Sequence, residues 1–148
     1  MAKEKSYEGF TEDERAAMKD RATELKKSAR SGTSAKKAET EKQALLDTVA
    51  AMPDDDRAIA EALHAIVTKN APDLAPKTWY GMPAWAKDGQ VVLFLKPAGK
   101  FKMRYAEVGF SETAQLDDGD IWPTVYAVTT INPAIEKQLT ALVKRAAG

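Results

Sequence analysis

The dipeptide Asp88-Gly89 constrains this chain most, because it separates two runs rich in aromatic and β-branched residues, Trp79–Lys87 and Gln90–Lys96. A type I′ turn needs positive φ at both central positions, and Asp-Gly meets that demand, so the runs are predicted to pair as an antiparallel hairpin. Val91 to Leu95 is apolar throughout and reads as a central strand covered on both faces. Phe101, Met103 and Tyr105 alternate with Lys102 and Arg104, which predicts a strand with one apolar and one cationic face. Another strand is expected over Trp122–Thr129, after the acidic loop Leu116-Asp117-Asp118-Gly119-Asp120.

Before Pro76 the apolar period is that of helices. Thr11 and Glu14 have capping-box spacing, so a first helix is expected to begin there. Its stripe of Met18, Ala22, Leu25 and Ala29 is narrow and can bury little area. Ser31, Gly32, Thr33 and Ser34 read as a flexible joint. Residues 1–34 are therefore predicted to form a helical extension loosely docked on a main domain, 35–148. A second helix, about 35–51, places Ala38, Leu45, Val49 and Met52 on one side and closes at Pro53. A third opens with Asp54, Asp55 and Asp56, where carboxylates suit free N–H groups and the helix dipole. Ile59, Leu63, Ile66 and Val67 form its apolar face, and Asn70-Ala71-Pro72 ends it. Asn132 and Pro133 start a last helix with Ile135, Leu139, Leu142, Val143 and Ala146 inward. This order gives an α+β fold: an antiparallel sheet of three to five strands with helices packed on one face.

Composition narrows the chemistry. At 148 residues the chain can bury about two thirds of its unfolded surface in one core. It has 22 basic and 22 acidic side chains, so no global field draws it to nucleic acid or an anionic membrane. The absence of cysteine removes disulfides, thiolate metal sites and thiol nucleophiles together. The charged start MAKEKSYEGF is followed by no apolar stretch, so neither a signal peptide nor a membrane span is expected and the reading is cytoplasmic. A nucleophile elbow and a glycine-rich phosphate loop are both missing, which argues against a hydrolase or kinase.

Several groups could carry function. The sole histidine, His64, lies mid-helix beside Leu63, a position that favours a structural role. Asp117, Asp118 and Asp120 around Gly119 could offer oxygen ligands to a hard cation, or simply form a polar turn. Trp79, Tyr80, Met82 and Trp85 cluster around Gly81 and Pro83; a bulge is expected at Pro83. These side chains suit core packing or an aromatic groove in which Lys102 and Arg104 anchor a small anionic or planar ligand. Lys26, Lys27, Arg30, Lys36 and Lys37 could contact phosphates, but no aromatic is interleaved with them, and a solvated hinge is the plainer reading.

The segment Trp79-Tyr80-Gly81-Met82-Pro83-Ala84-Trp85, with the following hairpin, Lys100-Phe101-Lys102, and the stretch from Leu116 to Trp122, resembles the bacterial YdhG-like family, a domain of unknown function. The resemblance covers roughly residues 36–148. It implies a small intracellular α+β domain without a catalytic motif. One branch of the family is described as a frataxin-like iron chaperone, which implies ferrous iron held by surface carboxylates and passed to an acceptor protein. The sequence thus suggests a binding protein, for iron through Asp117, Asp118 and Asp120 or for a small molecule through the aromatic and cationic groove.

Overall fold

The computed structural model describes residues 10–30 and 34–148, with residues 28–30 described in backbone only. Of the proposed joint 31–34, residues 31–33 lie outside the described residues, as do the segment 1–9 and the side chains of Ala29 and Arg30, while Ser34 is the first residue of a helix. Helices α1 (Glu12–Arg30), α2 (Ser34–Ala50) and α3 (Asp54–Asn70) precede strands β1 (Ala75–Trp79), β2 (Met82–Lys87) and β3 (Gln90–Lys96). A single turn, α4 (Ala98–Phe101), leads to β4 (Ala106–Phe110) and β5 (Val125–Val128), and α5 (Pro133–Ala147) ends the order. The strands form one antiparallel meander, β1-β2-β3-β4-β5. The fold is α+β, as the order of periodicities implies.

Local chemistry explains most element boundaries. Thr11 and Glu14 make the expected reciprocal bonds, each backbone N–H donating to the other side chain at 3.0 Å. Asn132 caps α5 by accepting from Ile135 N at 2.9 Å, and Pro133 occupies the first turn. Asp88 and Gly89 take φ of 51° and 81° and join β2 to β3 in the predicted two-residue hairpin. Leu45, Val49, Leu63, Val67, Trp85, Leu93, Leu95, Val108, Leu139 and Val143 share one core. α2 runs beside the edge strand β1 and shields it.

Five local expectations are corrected. Trp79–Lys87 is not one strand: Tyr80 and Gly81 turn the chain with φ of 54° and 74°, making a second tight hairpin between β1 and β2. The irregularity in β2 lies between Trp85 and Ala86 rather than at Pro83, which pairs regularly with Thr78. Phe101–Tyr105 is not a strand either. Asp56 accepts from Ala98 N and Gly99 N at 3.2 and 2.9 Å and fixes α4, which Lys102 closes in the left-handed conformation. Asp56 therefore does not cap its own helix, although α3 does begin at Asp54. The last strand is shorter than Trp122–Thr129, because Pro123 lacks the N–H that a continuous ladder requires.

On the sheet, Phe94 pairs with Gly109, and an added Cβ at Gly109 would lie 2.2 Å from the Phe94 ring. The glycine makes room for the aromatic. Gly109→Ala should therefore cost about 1–3 kcal/mol by overpacking, measured by urea denaturation, and Phe94→Leu in the same chain should recover part of that loss.

Candidate functional site

The β1–β2 turn holds two consecutive residues at positive φ, and one of them, Tyr80, is not glycine. A left-handed conformation costs a side-chain-bearing residue roughly 1–2 kcal/mol. The carboxylate of Glu24 on α1 accepts from Tyr80 N through Oε1 at 3.1 Å and from Gly81 N through Oε2 at 3.0 Å. Hydrogen bonds to a charged partner are each worth about 1.5–3 kcal/mol, enough to offset the strain. Both oxygens are engaged, and the Glu24 side chain is only 14% exposed.

Charged neighbours complete this corner. Lys100 on α4 donates to Asp20 Oδ2 at 2.9 Å and to Gly81 O at 3.1 Å. Arg21 sits 3.6 Å from Glu24 Oε1 and 5.8 Å from the centre of the Tyr80 ring. Lys102 reaches Asp13 at 3.6 Å. α1 is thus held by its polar face, while Met18 and Leu25 of its apolar stripe are 37% and 54% exposed. Among the described side chains of this helix, Ala17 is the buried apolar one. Gly81 permits the approach: a Cβ there would lie 2.0 Å from Lys100 Nζ and 2.3 Å from Asp20 Oδ2.

Between α1, α2, the Met52-Pro53 corner and the turn lies a cleft of about 690 Å³. Ala44, Ala51, Met52, Pro53 and Pro97 give it apolar lining, and Asp20, Glu24, Lys77 and Lys100 give it charge. Lys77 pairs with Glu41 at 3.8 Å. Such a volume suits a small organic molecule, with apolar walls for affinity and a few polar groups for orientation.

The sequence candidates are dispersed. Trp79 and Met82 are paired across the turn, so Trp85, three residues further along β2, projects to the other side of the sheet. There it is fully buried, and its Nε1–H donates to His64 Nδ1 at 3.2 Å. Trp79 instead packs on Tyr80 and Phe94, with ring centres 4.9 and 5.3 Å apart, and Met82 is buried. Lys102 and Arg104 are exposed in the segment after α4, where Arg104 covers Tyr105. The six residues do not line one groove. Asp117 and Asp120 border a shallow recess of about 540 Å³ beside Trp122, and Asp118 is exposed nearby. Among the described residues no group of three or more His, Asp or Glu is arranged to hold a metal ion. Lys26 and Lys27 lie near the end of α1, Lys36 and Lys37 in the first turn of α2, and Lys27 also lines the cleft.

Reasoning from sequence missed Glu24, Asp20 and Lys100 as a unit, because 56 to 80 residues separate the bonded partners. The available signal was Gly81 next to a bulky residue, which could have marked a turn. No family model, curated protein or solved structure matches this chain. Among the described residues no helix is long and apolar enough to cross a membrane.

His64 serves the core rather than the cleft. Burial lowers its pKa from the usual value, and repulsion from Lys42 lowers it further. The bond from Trp85 requires an unprotonated Nδ1. Because the folded-state pKa lies below the unfolded one, this group's stabilising contribution is complete above pH about 6.5. It is lost as pH falls towards the folded-state value. Urea denaturation should show a smaller loss of stability between pH 7.5 and 5.5 in His64→Gln than in the native protein, and the native imidazole should titrate below 6.5 by NMR.

Proposed function

We propose that this chain is a binding protein of the YdhG-like kind that takes a small organic molecule in the cleft beneath α1. The observation that carries this reading is the cleft itself, about 690 Å³ bounded by a helix that docks through carboxylates. Helix docking of this type leaves the apolar surfaces of Ala44, Ala51 and Pro53 available to a guest. The segment Trp79–Trp85, which carries the family resemblance, also supplies the turn at the cleft's edge. A ferrous-iron role at Asp117, Asp118 and Asp120 would need those carboxylates to converge on binding, since three exposed side chains must overcome mutual repulsion to share one cation.

A fragment screen read by backbone amide and methyl chemical shifts tests the proposal. Binders should perturb Ala44, Thr48 and Met52 together, and Ala44→Leu, which fills part of the cleft, should weaken them at least tenfold. Binders that instead perturb the recess at Trp122, and leave Ala44 and Thr48 unmoved, contradict it.

A further inference from the structure

The paired amides of Tyr80 and Gly81 present two N–H donors to two oxygens of one planar group, at 3.1 and 3.0 Å. That is the geometry of a carboxylate site. Successive backbone N–H groups in a left-handed turn form a concave anion receptor, and this one has an ammonium beside it, with Lys100 Nζ 3.1 Å from Gly81 O. The receptor is occupied from within the chain by Glu24. We infer that the Tyr80–Gly81 turn and Lys100 form a carboxylate-binding site, that Glu24 is its internal occupant, and that the ligand of the cleft is a monocarboxylate which takes the place of Glu24.

This inference rests on the cleft as the binding site and adds the chemical class of its ligand. Charge matching supports a single negative charge. When α1 withdraws, Asp20 and Glu24 leave with it, and so does Arg21. Lys77 keeps Glu41, and Asp56 stays committed to Ala98 N and Gly99 N. Lys102 also loses Asp13, but its side chain is 77% exposed and water replaces that partner; what is left to satisfy at the turn is one ammonium, Lys100, and two amides. A monocarboxylate satisfies all three, and its remaining atoms can extend along Ala44, Ala51 and Pro53 within the same cleft. No side chain can compete from position 81, because the space over Gly81 is taken by Lys100 and Asp20.

An internal carboxylate is present at high effective concentration, so an external one competes poorly until Glu24 is removed or α1 is displaced. Glu24→Ala deletes the Cγ methylene and the carboxylate of the side chain and leaves Cβ as a methyl; propionate restores the carboxylate on a short apolar stem. Titration of the full-length variant with propionate should shift the Tyr80 and Gly81 amides saturably. The native protein should respond at least tenfold more weakly, and propionamide should produce no saturable shift in either. Equal responses in variant and native protein, or no saturable response in a variant that retains native circular dichroism, overturn the inference. Should Glu24→Ala fail to fold, the same titration of Glu24→Asp, whose shorter side chain reaches the turn poorly, gives the same comparison. Phenylpropionate separates the two readings. If it shifts Tyr80 and Gly81 but leaves Ala44 and Thr48 unchanged, the carboxylate site stands and the cleft reading fails. If neutral fragments perturb Ala44 and Thr48 while carboxylates leave the turn unmoved, the cleft reading stands and the carboxylate inference fails.

Discussion

Two backbone N–H groups at a tight turn must find partners or face water, and the arrangement of the cleft depends on how Tyr80 and Gly81 find theirs. Their left-handed conformation aims both donors out of the sheet, where no strand can accept them. Glu24 accepts both. That pair of bonds brings α1 against the sheet, sets Asp20 over Lys100, and encloses the space above Met52 and Pro53.

The same device occurs twice with different consequences. Asp56, 5% exposed, accepts from two consecutive amides at the start of α4 and anchors the β3–β4 connection to α3. A buried carboxylate without those bonds would be costly, so the Asp56 pairing is integral to the body of the fold. Glu24 makes an equivalent pair at the rim of a cleft, on a helix whose large apolar residues Met18 and Leu25 remain substantially exposed. Core burial holds one contact in place. The other depends mainly on polar bonds, which a competing anion can replace.

The fold was legible where the determinants are local. The Thr11–Glu14 box, the Asp88-Gly89 turn, the Asn132-Pro133 start and the apolar faces of α3 and α5 each act within a few residues, and each stands as expected. Errors arose where distant groups decide. Alternation from Phe101 to Tyr105 resembles a strand, but Asp56 holds Ala98 and Gly99 in a helical turn from 42 and 43 residues away. Tyr80-Gly81 lacks the side-chain signature of Asn-Gly, and its left-handed tyrosine depends on Glu24, which sequence spacing cannot place. The aromatic cluster was visible as a cluster, but the turn within it sends Trp79 and Trp85 to opposite faces. The cleft was not legible because its walls come from four separated segments.

The sheet contains its own control for the central claim. The turns at Tyr80-Gly81 and Asp88-Gly89 share positive φ at both central positions, yet the first is covered by Glu24 and the second is exposed, with nothing within 4 Å of a Cβ added at Gly89. Amide hydrogen exchange compares them directly in the native protein. The Tyr80 and Gly81 amides should exchange at least a hundredfold more slowly than those of Asp88 and Gly89, after correction for intrinsic rates, and Glu24→Ala should abolish the difference. Equal exchange at the two turns in the native protein would show that Glu24 does not hold the amides, and would contradict the account.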